Sequence, residues 1–238
     1  MKTNSLALIG KKYIDTILSV DVVLLNETND CSLTRRKGGI HNFFDIRDYK
    51  LKIKTFEFGK KEAFVINENN TSSRTSFVRT LESSKVPPLE IKHISESFDW
   101  AHICYLDDLE DYGGLYNLSC PFSIDFCTNK DRSQYVKLMN KSEIIFDSRE
   151  RRALYDNCVL ESPLLLHDEE GVEVIISGKT IYKNNIKPVQ DLSVNGAGDI
   201  YAGFFIENYF KKNLKDSARY AMIETTKVLM KRRNNEEV

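Results

Sequence analysis

One stretch of the 238-residue chain combines small residues with an acid in a way that could do chemistry. Asn195-Gly196-Ala197-Gly198-Asp199 runs directly into the helix-competent Ile200-Tyr201-Ala202-Gly203-Phe204-Phe205. Small residues at a helix start let an anion reach bare backbone N–H groups, where the helix dipole favours negative charge. An acid in the first turn would lie beside that anion. It could take the proton of a hydroxyl attacking a phosphoryl group. The plainer alternative is a glycine-rich turn whose Asp caps the helix. On this stretch alone both readings stand.

Such a centre needs elements that hold it, and the chain supplies their pattern. Trp100–Leu106, Pro121–Phe126, Ser142–Asp147 and Pro163–His167 are short apolar runs ending in polar residues. Separated by polar segments of helical length, they predict parallel strands buried on both faces. Leu6–Gly10 predicts a further short strand ending at a turn glycine. Helices are expected over 132–140, 149–156, 199–211 and 214–231, with Tyr201, Phe204, Phe205, Tyr209 and Phe210 as core packing. Residues 51–66 predict a hairpin turning at Gly59-Lys60-Lys61, and 74–78 a further edge segment. The expectation is one α/β unit over 1–238, a Rossmann-like layered sheet with helices on both faces. A small β lid is expected from about 16–36 and 51–78.

Other features exclude classes of function. Lys plus Arg number 34 against 35 acids, which gives a net charge of -1 and no basic surplus for nucleic acid. No apolar run reaches the ~18 residues of a membrane span. The apolar start is too short for a secretory signal, and five cysteines without a CxxC pair predict reduced thiols in the cytoplasm. His102 reads as a core histidine. His41 is poised evenly between packing and substrate contact. The acidic run Asp107-Asp108 with Glu110-Asp111 reads as a solvated loop or helix start.

Asn195–Asp199 also resembles the Gly-Ala-Gly-Asp signature of the ribokinase-like, or PfkB, carbohydrate and nucleoside kinases. Other segments resemble that family in the same chain order. Gly10–Asp15 is similar to its first strand and turn, and Lys37-Gly38-Gly39-Ile40-His41-Asn42 to its Gly-Gly-x-x-x-Asn motif. Residues 51–78 resemble its lid strands, with 70–75 similar to the hairpin that closes the lid. His102–Asp107 resembles a core strand, and Asp147-Ser148-Arg149-Glu150 its Asn-x-x-Glu motif.

The resemblance implies ATP-dependent phosphoryl transfer, with Mg²⁺, to a hydroxyl of a small sugar, polyol or nucleoside. It implies Asp199 as base, with Gly196, Ala197 and Gly198 as anion hole. Asn195, Gly196 and Gly198 would bind nucleotide. Asp15, Gly38, Gly39 and Asn42 would hold the substrate, and Glu150 with Asp147 would recruit the metal through water. It also implies that the lid sheet can pair with a second chain as a homodimer. The competing class is a ligand-binding or regulatory paralogue that kept the fold and lost turnover. The sequence departs from the family pattern at five places, one being a strand-helix segment missing between the Gly-Gly motif and the lid. Asn42 comes one residue early, Ser193-Val194 replace Asp-Thr, and Asp147 replaces Asn. The nucleotide turn Thr-x-Gly falls on Leu166-His167-Asp168.

Overall fold

A computed structural model describes residues 3–45, 50–68, 73–83, 85–186 and 196–236. The strands in chain order are β1 (Ser5–Val20), β2 (Ser32–Gly39), β3 (Lys52–Glu68), β4 (Ser73–Ser83), β5 (Trp100–Cys104), β6 (Phe122–Asp125), β7 (Ile144–Ser148), β8 (Leu164–Asp168), β9 (Gly171–Ile176) and β10 (Lys179–Asn185). The helices are α1 (Pro88–Ser97), α2 (Val136–Met139), α3 (Ala197–Tyr209) and α4 (Leu214–Glu236).

All ten strands form one sheet in the order β10-β9-β8-β7-β6-β5-β1-β3-β4, with β2 also paired to β1. β1, β3, β5, β6, β7 and β8 are mutually parallel along this path, while β9 and β10 close the edge as antiparallel hairpin strands. Side chains alternate across the pleat, so β1 feeds two cores. Ala7 and Ile9 pack on one face with Ile91 and Ile94 of α1 and Leu138 and Met139 of α2. Leu6 and Leu8 pack on the other with Ile200, Phe204 and Phe205 of α3 and Ala218 and Ala221 of α4. The sheet is therefore covered on both faces, as the uninterrupted apolar runs predict.

β1 does not stop at Gly10. It continues to Val20, changing neighbour from β5 (Leu6–Gly10) to β2 (Lys12–Ser19) while keeping β3 throughout. A bulge at Gly10/Lys12 marks the change, with Lys11 set opposite Phe58 and Gly59. The expected hairpin at Gly59-Lys60-Lys61 is likewise absent, because β3 runs unbroken through these residues. Gly59 sits at φ 123°, which a side chain rarely adopts, and absorbs the irregularity without reversing the chain. The four-stranded extension β2-β1-β3-β4 is thus built from 12–20, 32–39, 60–68 and 73–83. It is rooted in core strands instead of hinged on a separate hairpin, and β3 from 52 to 57 belongs to the central sheet.

Two expected helices are shorter or tighter. Residues 133–139 form a 3-10 turn leading into α2, and Arg149–Tyr155 is a 3-10 segment. α1 follows Pro87-Pro88 with Pro at its first turn, a favoured place for a residue lacking an N–H.

Candidate active site

α3 begins at Gly196, which takes φ 75° at the N-cap, and Asp199 lies in its first turn. A Cβ on Gly196 would fall 2.8 Å from Asn42 Cγ, so only glycine lets these two segments approach so closely. Asp199 is 2% exposed. Its Oδ2 accepts from Asn42 Nδ2 at 2.8 Å and from the Tyr105 hydroxyl at 2.7 Å. Its Oδ1 is buried and has no partner among the described residues. Burial raises the carboxyl to a pKa of about 6, and the two hydrogen bonds and the nearby Arg36 limit the rise.

Tyr105 was not anticipated. It stands at the C-terminal end of β5 with φ 66°, and this left-handed turn follows the strand's last residue. Burial and the Asp199 charge hold its phenol well above the ordinary value, so it remains a donor. No sequence signal marks it, since a tyrosine after an apolar run reads as packing.

The residues that the resemblance assigns to substrate lie close to the same place. Gly38 lies against Asp15, whose carboxylate would be 2.1 Å from a Cβ built there. Gly39 adopts φ 62° with a hypothetical Cβ 2.5 Å from the Lys11 carbonyl, so it too must be glycine. Ile40–Asp45 forms a 3-10 turn that drops Asn42 onto Asp199. The structure thus brings together Asp15, Gly38, Gly39, Asn42, Gly196 and Asp199. His41 turns away, with its Nε2 2.9 Å from Glu57 Oε1. Asn195 and the segment 70–72 lie outside the described residues.

Beside α3, the His167 ring supports Gly198: a Cβ there would be 3.2 Å from Cε1 and 3.7 Å from Nε2. Tyr201 holds the ring at 4.7 Å between centroids. Burial, aided by Arg151 and Arg149, lowers the imidazole to about 4, so it is neutral at pH 7. His102 is a core residue as expected. It is fully buried with Nδ1 2.8 Å from Ser123 Oγ, and burial lowers it to about 3.

The acidic run after β5 divides in two: Glu110 and Asp111 are exposed as expected, while Asp107 and Asp108, in the 3-10 turn Leu106–Asp108, are not solvated. Asp107 and Asp108 are buried. Asp107 accepts from the Thr128 backbone at 2.8 Å and from Arg132 Nη1 at 3.1 Å. Asp108 accepts from the Tyr13 hydroxyl at 2.7 Å and pairs with Lys61. The Asp108 contacts fasten the four-stranded extension to the central sheet, while Asp107 ties the loop after β6 to the end of β5.

Comparison with solved structures settles the architecture. Adenosine kinase from Sinorhizobium meliloti superposes with a TM-score of 0.70 at 14% identity, covering 96% of this chain and 94% of that one. Phosphofructokinase-2 from Escherichia coli, solved with substrates and products, gives 0.68 at 11%, covering 92% and 91%. Ribokinase from Arabidopsis thaliana, solved with ribose and ATP, gives 0.66 at 10%, covering 94% and 92%. The fold is ribokinase-like. No protein-family model matches the sequence, and no curated protein matches it by sequence.

Within this ribokinase-like fold the implied metal motif is rebuilt. Asp147 is fully buried. Its Oδ2 accepts from Arg132 Nη2 at 2.9 Å and from the Tyr155 hydroxyl at 2.7 Å, and its Oδ1 from Arg151 Nη1 at 2.9 Å and the Ser148 amide at 2.8 Å. A carboxylate held by two guanidiniums has no lone pair left to recruit a cation's water. The expectation that Asp147 faces a metal is therefore corrected: it anchors buried Arg132. The Glu150 side chain is 73% exposed, 3.6 Å from Arg151 Nη2. Among the described residues no group of three His, Cys, Asp or Glu could hold a metal ion. The residues present do not fit a protein-organised Mg²⁺ at Asp147 and Glu150.

Proposed function

We propose that this protein is an ATP-dependent phosphotransferase acting on a hydroxyl of a small sugar, polyol or nucleoside. The observation that carries the reading is Asp199: a buried carboxylate with one unpartnered oxygen, at the N-terminus of a glycine-led helix, with its pKa near 6. A base of that strength is ionised at pH 7 yet still binds a proton, which is what general-base work near neutrality requires. The ribokinase-like fold, shared with sugar and nucleoside kinases, supports the same reading.

The acceptor hydroxyl oxygen attacks the terminal phosphorus of ATP, and the bridging oxygen leaves with ADP. Asp199 Oδ1 takes the hydroxyl proton as the new O–P bond forms. Asn42 and Tyr105 hold the other oxygen, so the carboxylate presents one fixed lone-pair direction. Gly196, Ala197 and Gly198 contribute the unpaired first-turn N–H groups of α3 to the transferring phosphoryl oxygens. Asp15, Gly38 and Gly39 hold the acceptor's hydroxyls, and the four-stranded extension acts as the lid that keeps bulk water out. Such transfers need positioning and charge stabilisation more than covalent chemistry from the protein.

The lid also supports a homodimer. Leu33, Leu18 and Ile66 form one cross-strand row, and Phe64 with Phe77 the next, on one face of the extension. Leu33 is 64%, Phe64 42% and Phe77 59% exposed. A second copy would cover such a face. Among the described residues no helix is long and apolar enough to cross a membrane. All five cysteines are free, in keeping with a cytoplasmic enzyme.

A second reading, a ligand-binding paralogue without turnover, is favoured by one observation: the rebuilt metal motif at Asp147 and Glu150. An ADP-release assay across sugars and nucleosides with Mg-ATP separates the two. Turnover on any acceptor supports the kinase, and saturable binding without ADP release supports the paralogue.

A further inference from the structure

The buried polar atoms left unmatched among the described residues include three around Gly198 of α3: His167 Nε2, and the Nε and Nη2 of Arg149, whose charge acts on the His167 ring. Arg149 follows β7, whose last residue, Ser148, is registered with His167 of β8. Its Nη1 pairs with Asp168 Oδ2 at 3.2 Å and Glu170 Oε2 at 3.5 Å, which fixes the arm. Nε and Nη2 form the opposite edge of the guanidinium plane. That edge is the side-on fork that matches two oxygens of a phosphate or carboxylate. Two charged donors buried without acceptors are strongly unfavourable, and native structures seldom keep such a pair without a reason.

The neighbouring groups offer further donors, the His167 ring in its Nε2–H tautomer and the first-turn amides of α3. His167 is held between Tyr201 and Gly198, with its Nε2 bare. Gly198 lies in the first turn of α3, where N–H groups have no intrahelical partner. The acids nearby are already committed: Asp147 to Arg132 and Arg151, Asp168 and Glu170 to the far edge of Arg149. Together these groups form a donor-rich corner beside α3, next to the first-turn Asp199 that the proposed function assigns to the acceptor hydroxyl.

We propose that Arg149 and His167 form a phosphate clamp, in which the Arg149 fork and His167 Nε2–H take oxygens of a polyphosphate at the N-terminus of α3. The ligand class is the polyphosphate of the donor nucleotide, an assignment that rests on the kinase reading. The clamp places a fixed guanidinium within the Asp147–Glu150 segment, the segment whose resemblance implies a metal-organising role.

The test is calorimetric titration of tripolyphosphate in EDTA, which needs neither metal, nucleoside nor turnover. Wild type is expected to bind, and Arg149→Gln to lose roughly 10–150-fold in affinity, the range for charged hydrogen bonds. Arg149→Lys, which keeps charge but not the fork, should fall between. If Arg149→Gln does not fold, Arg149→Lys and the His167 ring nitrogen signals of wild type decide the matter. Those signals should shift on adding tripolyphosphate and stay still with succinate. Absence of wild-type binding, equal affinity in wild type and Arg149→Lys, or an equal response to succinate overturns the clamp. A chain that binds tripolyphosphate through Arg149 but never releases ADP contradicts the kinase reading and leaves the clamp standing.

Discussion

Asn42 donates its side-chain amide to Asp199 Oδ2 at 2.8 Å across 157 residues of sequence. The contact joins the glycine-rich segment on the acceptor side to the acid at the head of α3. Together with the Tyr105 hydroxyl, it limits how far burial raises the Asp199 pKa. Asn42→Leu and Tyr105→Phe each remove one donor to the carboxylate and should raise its pKa above about 6. Hydrogen bonds to charged groups are worth ~1.5–3 kcal/mol, so the acid limb of the kcat/KM profile should move up by about 1–2 pH units. Superimposable pH profiles for wild type and both variants would remove Asp199 from the role of titrating base.

The same pKa makes Asp199 a stability liability. Its folded value of about 6 lies above the ordinary 3.8, so the fold disfavours its charge. Below about pH 4 both folded and unfolded chains hold the proton and there is no penalty. The penalty grows between pH 4 and 6 and is full above 6, at most about 3 kcal/mol. Asp199→Asn should therefore raise Tm at pH 7.5 and lose that advantage at pH 4. A Tm difference that does not vary with pH would show that burial is not what sets the Asp199 pKa.

Much of this site is legible from residue types alone. Gly196–Asp199 reads as an anion-binding helix start, and the runs at 102–106, 122–126, 144–147 and 164–167 read as buried parallel strands. What stays hidden follows from physics that acts over distance. Lys11 is read as part of a turn after Gly10, yet it lies in a strand that continues alongside β3, opposite the bulge at Phe58-Gly59. Gly59-Lys60-Lys61 has turn composition, but parallel pairing with β1 overrides local preference. The β9–β10 hairpin joins the apolar, buried Gly171–Ile176 to a polar, exposed strand and turns at Ser177 and Gly178, both with positive φ. Asp147 illustrates the limit best. A carboxylate within Asp-x-x-Glu looks like a metal-site residue until Arg132, brought in from the segment before α2, and Arg151, one turn further on, are seen to hold it.

Gly196→Ala probes the architecture of the helix start. The residue lies at φ 75° and its new Cβ would press on Asn42 Cγ at 2.8 Å. The backbone strain alone costs about 1–2 kcal/mol. Displacement of Asn42 should lower turnover further, so chemical denaturation and acceptor titration should both register the change. Unchanged stability would mean that α3 starts differently.

The Asp147 cluster predicts opposite behaviour for two neighbouring acids. Asp147→Asn leaves fully buried Arg132 short of a counter-charge and should destabilise the fold by about 3–5 kcal/mol. Glu150→Gln alters an exposed side chain and should leave both stability and the magnesium dependence of ADP release as in wild type. A raised magnesium requirement in Glu150→Gln would restore the metal role to that residue.

The central claim is that Asp199 takes the proton of an acceptor hydroxyl, and its most direct test is the rate of ADP release by Asp199→Asn on an acceptor that wild type turns over. Asparagine keeps the size and can still accept from Asn42 and Tyr105, but it cannot take a proton at neutral pH. The rate should fall by ~10²–10⁴ with acceptor affinity little changed. An Asp199→Asn protein that keeps most of the wild-type rate would place the base elsewhere and contradict the account.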